Sequence, residues 1–386
     1  MKVKLESFLQ EVSEKTTENN QYQVLTSSKV GLYLQSDYFN KQVASKDNKG
    51  YKIIKKGQFT YRAMSDTGEF FPNMLECTDI GIVSPAYPVF EIVKPVIIPE
   101  YLKYYFKSNG FQQSISSFAQ GSTRTSIKYG KLKTVSMDLP NLEEQKRVIA
   151  ILDTIHNIID SSKQELKMFD DLIKARFVEL FGDPANNEKG FIKAPMGDYM
   201  TLLTDFSSNG SYKTLDSGVT MYDEPNYAWM VRTTDLESGD MTSIKYIDES
   251  AYALLSKSKI YGGEIIMNKI GSAGKIYLMP QINMPASLGR NAFMFRYDER
   301  INVKFLYHLL TSDYGKREIQ QYVRGAVTKT ITKNDARAVL IIVPPIELQN
   351  EFEVFVEQVD KSKVAVQKAL DETQTLFDSL MQEYFG

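Results

Sequence analysis

The chain contains one segment twice, and this internal repeat constrains its fold more than any other feature of the sequence. Residues 121–182 align with residues 325–386 without a gap, at an offset of 204 residues (325 − 121), and 11 of the 62 aligned pairs are identical. The identities include a leading glycine, the prolines Pro140 and Pro344, the glutamines Gln145 and Gln349, and a closing Phe-Gly pair. Because these residues fix backbone geometry or element boundaries, the repeat indicates a duplicated structural unit.

Each copy of the repeat ends in a long helical pattern. Pro140 and Pro344 precede the helices, acidic residues follow in the first turn, and Gly182 with Pro184 ends the first helix. Apolar residues then recur with a period of about 3.5 residues, which is typical of helices that pair with another helix. A helix of roughly 35 residues, about 50 Å, is too long for one compact domain to cover. We therefore expect the two helices to pair with each other, through Leu152, Ile155, Ile159, Leu166, Phe169, Ile173, Val356, Val359, Val366, Leu370, Phe377 and Leu380.

The segments before and between the helices have mixed α/β character. Short β-rich runs such as "GGEIIMNK" and "AFMFRY" alternate with polar turns, whereas "PEYLKYYFKSNGFQQSISSF" and "VKFLYHLLTSDYGKREIQQYV" have helical patterns. The predicted fold class is α+β. The predicted domains are two globular parts at residues 1–140 and 184–344, followed by helices at 141–183 and 345–386.

Charge is distributed unevenly along the chain. Residues 141–183 carry six Lys/Arg and nine Asp/Glu, and residues 346–386 carry three and nine, so the helical segments hold −9 (−3 − 6). The chain as a whole carries −2, so the remainder holds +7 (−2 + 9). Because phosphate binding depends on clustered Lys and Arg, the globular parts are the better candidates for a nucleic-acid surface.

Two loops begin at the repeated glycines and mix cations with hydroxyl side chains: "GSTRTSIKYGKLK" and "GAVTKTITKNDAR". Such residues suit contacts to phosphates and base edges, although an ordinary exposed polar loop has the same composition. Chosen by charge and by position near turns, the predicted DNA contacts are Arg62, Arg124, Lys128, Arg232, Lys269, Arg290 and Lys329.

The sequence offers no clear catalytic or metal site. Cys77 is the only cysteine, and with two histidines the chain is poor in zinc ligands, which fits a reducing compartment. The run "GSAGKIY" lacks the Ser or Thr that must follow the lysine of a phosphate-binding loop, because Ile276 stands there, so it predicts a β-turn. His156 is predicted to have a helix-surface or packing role, and His308 a structural role. We expect a chain that is not an enzyme and binds neither a cofactor nor a metal.

The start of the chain, "MKVKLESFLQEVSEK", lacks the apolar core of a signal peptide. A membrane-spanning helix needs roughly 18 or more consecutive apolar residues, and no run in this sequence approaches that length. These features predict a cytoplasmic protein.

A tandem of divergent globular parts, each followed by a long helix that begins Pro-x-x-x-x-Gln, resembles the specificity subunit of type I restriction-modification systems. The resemblance covers nearly the whole chain and is carried by "LPNLEEQKRVIAILD", "VPPIELQNEFEVFVE", "YAWMVRTTDLESGDM" and "YGGEIIMNKIGSAGK". The opening "SSKVGLYLQSDYFNKQVASKDNKGYKIIKKGQFTYR" also looks like this family. The first globular part lacks the stretch around Trp229, so no base-reading residue carries over to it by motif.

The resemblance implies that each globular part is a target recognition domain for one half of an interrupted double-stranded DNA site. The helices would form an antiparallel coiled coil with pseudo-twofold symmetry, and about 50 Å of helix sets an upper limit of about 15 base pairs between half-sites. Two modification subunits would carry S-adenosylmethionine and methylate DNA, with restriction subunits in the full complex. A coiled-coil scaffold whose globular domains bind protein stays open as the alternative.

Overall fold

The computed structural model describes residues 2–38, 47–118 and 125–386. These residues form two compact units, Met1–Leu166 with Ala365–Gly386, and Lys167–Val364. The division runs through both long helices, so each unit contains one globular part and a portion of each helix.

The globular part of the first unit is built from short strands and helices. Its strands are β1 (Lys2–Lys4), β2 (Leu9–Val12), β3 (Leu25–Ser27), β4 (Leu32–Leu34), β5 (Lys52–Lys55), β6 (Phe59–Thr60), β7 (Met64–Ser65), β8 (Asn73–Met74), β9 (Ile80–Val83), β10 (Val89–Ile92), β11 (Thr125–Ser126) and β12 (Ser136–Asp138). Its helices are α1 (Gln35–Tyr38), α2 (Pro99–Lys107), α3 (Asn109–Ser116) and α4 (Tyr129–Leu132), and α5 (Leu142–Phe181) follows. A four-stranded antiparallel sheet has the order β2-β10-β6-β8, and β1–β12, β3–β4, β5–β9 and β7–β11 form pairs.

The second unit has two larger sheets. Its strands are β13 (Ile192–Pro195), β14 (Met200–Asp205), β15 (Ala228–Val231), β16 (Lys245–Ile247), β17 (Lys259–Ile260), β18 (Ile265–Asn268), β19 (Ile276–Leu278), β20 (Ala286–Leu288), β21 (Ala292–Tyr297) and β22 (Leu340–Val343). Its helices are α6 (Tyr212–Gly218), α7 (Thr233–Ser238), α8 (Glu249–Leu254), α9 (Val303–Thr311), α10 (Asp313–Gln320) and α11 (Lys333–Ala338), and α12 (Ile346–Phe385) follows. The sheet orders are β14-β21-β18-β19 and β16-β15-β20-β17, and β13 pairs with β22. The predicted α+β class is confirmed, and "GSAGKIY" lies in the hairpin between β18 and β19.

Aromatic side chains fill the two main cores. In the first unit, the Phe59 ring lies 5.7 Å from the Phe90 ring and 5.7 Å from the Phe106 ring, between centroids. In the second unit, Phe181 near the end of α5 lies 4.7 Å from Phe305 of α9 by the same measure. The C-terminal end of α5 is therefore part of the second unit's core.

Portions of the long helices run antiparallel within each unit. In the first unit, Leu152 shares a cluster with Leu380, whereas Ile159, further along α5, shares one with Leu370, earlier in α12. In the second unit, ion pairs join Lys363 to Asp170 at 2.7 Å and Glu351 to Arg176 at 2.6 Å. Each helix has 40 residues, about 60 Å, so the expected length of roughly 35 residues was too short.

Near its start, each long helix has a buried glutamine whose side chain forms hydrogen bonds with the globular part. The Gln145 side chain donates to the carbonyls of Val96 (3.0 Å) and Pro140 (2.9 Å) and accepts from the Ile98 amide (2.8 Å). Both Gln145 and Gln349 are fully buried. Because Ile98 is the N-cap residue of α2, the glutamine links the first turn of α5 to the start of another helix.

Gln349 repeats this arrangement in the second unit. Its side chain donates to the carbonyls of Arg300 (3.1 Å) and Pro344 (2.8 Å) and accepts from the amide of Asn302 (2.8 Å), the N-cap residue of α9. The two glutamines therefore stand in equivalent joints.

The two runs predicted as helical are each divided in two by a serine. Ser108 and Ser312 accept hydrogen bonds from the amides of Phe111 (3.1 Å) and Gly315 (3.2 Å), so each serine caps a new helix. Their backbones are extended, which breaks the preceding helix.

Candidate nucleic-acid interface

A cleft in the second unit combines cations, amides and apolar side chains. Its volume is about 410 Å³, and it lies beside the ends of β15 and β18 and the start of β21. The lining residues are Phe206, Val219, Met221, Met230, Arg232, Thr233, Thr234, Glu237, Asn268, Ile270, Ser272, Gly289, Arg290 and Asn291. Two predicted DNA contacts, Arg232 and Arg290, therefore share one concave surface.

Arg232 is held in place by a buried carboxylate. Its Nη2 donates to Asp235 Oδ1 at 2.5 Å and to the Ser243 carbonyl at 2.9 Å, and its Nε donates to Asp235 Oδ2 at 3.3 Å. Asp235 also accepts from the indole of Trp229 at 3.3 Å. The Arg232 side chain is still 32% exposed, so its position is fixed while part of it stays accessible.

Arg290 lies at another edge of the same cleft. It forms an ion pair with Asp216, and its guanidinium carbon lies 5.0 Å from the centre of the Phe206 ring. The residue is exposed. A guanidinium stacked on an aromatic face keeps its outer edge available to an acceptor.

Lys269 is less accessible than the sequence indicated. Its ammonium lies 2.9 Å from Asp205, the side chain is only 17% exposed, and Lys333 binds the same carboxylate at 2.9 Å. Burial raises the pKa of Asp205, but hydrogen bonds from Lys333, Ser208 and Lys269 outweigh it and hold the pKa at about 2. Lys269 already neutralises a buried charge, so its ammonium is less free to bind a phosphate than that of an exposed lysine.

Lys329 lies in the glycine-led loop of the second unit and is exposed. Arg324 and Thr330 exchange backbone hydrogen bonds of 2.9 and 2.8 Å, and the Lys329 carbonyl accepts from the Gly271 amide at 2.9 Å. Gly325 has φ +105°, and a Cβ at that position would overlap the carbonyl oxygen of Thr328. These backbone hydrogen bonds hold the loop in one conformation, and its first turn requires glycine.

In the first unit, Arg62 and Lys128 are both exposed. Strands β7 and β11 pair Met64 with Ser126, and continuing this antiparallel register brings Arg62 opposite Lys128. Arg62 also contacts Asp66 at 3.8 Å. Arg124, the third prediction in this unit, lies outside the described residues.

The predicted helix-pairing residues lie mostly on the inner faces of α5 and α12. In the first unit, Ile155, Ile159 and Leu370 are buried together, and Leu166, Phe377 and Leu380 pack against them. Leu152 is buried in the neighbouring core, and Val366 is partly buried. In the second unit, Ile173, Val356 and Val359 are buried in one cluster, against which Phe169 packs.

Of the two histidines, His156 is exposed, and His308 packs its ring against Phe352 with centroids 5.3 Å apart. Burial and the nearby Lys363 lower the pKa of the His308 imidazole to about 4. Its packing suits the predicted structural role.

Sequence reasoning missed the carboxylates that hold two of the predicted cations, Asp235 beside Arg232 and Asp205 beside Lys269, and it missed Lys333, which binds Asp205 as well. Asp235 follows Arg232 by three residues at the start of α7, a spacing that predicts a contact on one helical turn. Asp205 and Lys333, in contrast, are 128 residues apart, and no local pattern could join them.

The described part of the chain contains neither a metal-ligand cluster nor a membrane-spanning helix. Within residues 2–38, 47–118 and 125–386, no group of three or more His, Cys, Asp or Glu residues is placed to hold a metal ion. In the same ranges, no helix has the length and apolarity needed to cross a membrane.

Comparison with known proteins relates both halves of the chain to one family. The family model described as "Type I restriction modification DNA specificity domain" matches residues 6–168 and again residues 199–373. The chain is 22% identical over 366 residues to the type I restriction enzyme MjaVIII specificity subunit of Methanocaldococcus jannaschii, covering 87% of this chain and 82% of that protein. It is 23% identical over 306 residues to the EcoBI specificity subunit of Escherichia coli, covering 73% of this chain and 64% of that protein.

Solved structures show the same fold. The type I restriction-modification S subunit from M. genitalium matches with a TM-score of 0.56 at 15% identity, covering 100% of this chain and 96% of that one. A chain from a type I restriction-modification system studied for its complex assembly matches with a TM-score of 0.58 at 17% identity, covering 100% and 97%.

Proposed function

The chain belongs to the type I restriction-modification DNA specificity family, and from this premise we propose that it recognises an interrupted site in double-stranded DNA and directs a methyltransferase and restriction complex to that site. The observation that carries the proposal is the double match of one DNA specificity domain, at residues 6–168 and 199–373. Two copies of a recognition module in one chain suit a site with two halves. The chain is the specificity component, and catalysis belongs to its partners.

The distribution of charge supports this assignment. The globular parts hold the positive share of the charge, and in the second unit Arg232 and Arg290 flank a cleft that also contains Asn268 and Asn291. Arginines suit phosphates and guanine edges, and asparagine side chains suit adenine edges. The cleft of the second unit and the paired β7–β11 segment of the first are the proposed DNA-facing surfaces.

The proposed partners are modification and restriction subunits. Two modification subunits, each with bound S-adenosylmethionine, would methylate the DNA, and the acidic outer faces of α5 and α12 are the candidate docking surfaces for them. The specificity chain itself needs no cofactor for recognition. We place the complex in the cytoplasm, where bacterial and archaeal DNA is accessible.

Methylome sequencing of a host that expresses the chain with its modification subunit tests the proposal. We expect methylated adenines within one bipartite sequence motif and nowhere else. Replacing residues 1–139 by the corresponding segment of another family member should change one half of the motif and leave the other half unaltered. Methylation without any shared bipartite motif would contradict the proposal.

Salt dependence separates DNA recognition from a protein-binding scaffold. Binding of the assembled complex to its duplex should weaken steeply between about 50 and 200 mM salt, because phosphate contacts release counterions. Binding that is absent, or insensitive to salt and to sequence, would favour the scaffold.

A further inference from the structure

Each unit exposes a large apolar side chain on the segment that pairs with its glycine-led loop, and the loop of the second unit also exposes Val327. Met64 in the first unit is 44% exposed, and Ile270 in the second is 40% exposed. Single exposed apolar residues are common on protein surfaces and by themselves indicate nothing. These two, however, occupy the same position in the two units.

The backbone pairing shows this equivalence. Met64 lies opposite Ser126, and Ile270 lies opposite Thr330, which is Ser126 displaced by the repeat offset (330 − 126 = 204). The adjacent hydrogen bonds are equivalent too. The Ile127 amide donates to the Ala63 carbonyl at 2.9 Å, and the Ile331 amide donates to the Lys269 carbonyl at 3.1 Å. The fronts of the two globular parts differ in sequence, yet both place an apolar side chain here.

Cations lie near both side chains, although Arg62 contacts Asp66 and Arg290 contacts Asp216. Met64 has Arg62 and Lys128 close by along the paired segments. Ile270 lines the cleft that also contains Arg290, and exposed Lys329 belongs to the loop that pairs with it. An apolar spot among cations suits a ligand whose edge is anionic and whose interior presents an apolar group.

The major groove of DNA has that chemistry, because phosphates border it and the thymine C5-methyl group projects into it. More than half of each side chain is covered by the protein, and each stands on a paired segment rather than a free tip. A partly covered side chain on a paired segment suits contact with a groove edge better than insertion between stacked base pairs, which separating wedges require.

We propose that Met64 and Ile270 are specificity-determining residues, each contacting a thymine methyl group in the half-site bound by its own unit. This inference rests on the proposed function. It assigns one equivalent base-reading position to both units, including the first, where motif similarity assigns none.

Uracil scanning tests the assignment. Binding of the complex with its modification subunits is measured on the duplex found by methylome sequencing, with each thymine replaced in turn by deoxyuridine, which lacks only the methyl group. Wild-type affinity should fall about fivefold at one position in each half-site, the factor expected when one methyl-sized contact is lost. The variant Met64→Ala should abolish this sensitivity in one half only, and Ile270→Ala in the other half only.

Two exposed apolar residues away from the loops provide matched controls. Val93→Ala and Ile192→Ala should leave both sensitivities intact, since both side chains are exposed elsewhere on the same units. Wild-type binding that is indifferent to uracil, a half-site without any thymine, or alanine variants that keep the sensitivity would each overturn the inference. If a variant fails to fold, the uracil scan of the wild-type complex still tests whether thymine methyl groups are contacted. If the wild-type complex shows no sequence-specific DNA binding at all, the proposed function itself is overturned.

Discussion

Replacing Gln349 by alanine removes three hydrogen bonds from the buried start of α12. The side chain donates at 3.1 and 2.8 Å and accepts at 2.8 Å, and it is fully buried. Each such bond contributes a net of about 0.5–1.5 kcal/mol, and a buried partner left unsatisfied costs more, so we expect a loss of about 3–5 kcal/mol in the free energy of unfolding. The same reasoning applies to Gln145→Ala in the first unit.

Urea unfolding measures this loss with a built-in reporter. Trp229 is the only tryptophan and is buried in the second unit, so its fluorescence follows the unit that contains Gln349. The midpoint for Gln349→Ala should fall in proportion to the lost free energy, with the slope unchanged. Gln358→Ala, at an exposed position of the same helix, is the control and should shift the free energy by less than about 0.5 kcal/mol.

The result that would refute the reasoning is a small effect. A loss below about 1 kcal/mol for Gln349→Ala is less than three of the weakest such bonds would give. An equal loss for Gln358→Ala would show that the effect does not come from the buried joint, since alanine favours a helix at least as well as glutamine.

Three further predictions concern the second unit. Gly325→Ala should strain the loop, because φ is +105° and the new Cβ would overlap the carbonyl oxygen of Thr328. DNA affinity, measured by titration of the duplex, should therefore fall several-fold. The control Gly130→Ala, in α4 of the first unit, should leave the affinity unchanged, because no atom of the described residues lies near the new Cβ. Asp235→Ala should release the partly exposed Arg232 and leave the buried indole N–H of Trp229 without its acceptor, at a cost of about 2–4 kcal/mol in the free energy of unfolding. Calorimetry checks this value, and a loss under about 1 kcal/mol would contradict it. The pKa of His308 is about 4, so between pH 6.5 and 4 the unfolded chain binds a proton that the folded protein does not. Stability should therefore fall by up to about 3 kcal/mol as the pH drops through this window, and His308→Leu should flatten that part of the stability curve; an unchanged slope would count against the burial of the imidazole.

The long helices were predictable because their signals are local. Prolines, first-turn acids and a 3.5-residue period all lie within the segments themselves. The predicted length was short by about a turn, because the period detects only the packed stripe that begins at Val148. Residues 142–147 are mostly polar and are fixed by Gln145 and by the Asn141 side chain, which accepts from the Glu144 amide at 2.9 Å.

The candidate interface was only partly predictable for the opposite reason. Charge and turns identified Arg232 and Arg290, and the structure brings both to one cleft. The burial of Lys269 depends on Asp205, 64 residues away, so no local pattern could predict it. Likewise, Met64 was not among the predicted contacts, because its exposure and its backbone partner Ser126 become visible only in the structure.

Every partner of Gln145 and Gln349 is a backbone atom. Each glutamine binds a carbonyl that precedes α2 or α9, the amide of that helix's N-cap residue, and the carbonyl of a proline. Any residue type supplies a carbonyl, and any except proline supplies an amide. The joint therefore imposes almost no requirement on the amino-acid types of the globular part. Over evolutionary time a globular part can diverge or be exchanged by recombination while its attachment to the helix survives, so that new specificities arise without rebuilding the frame.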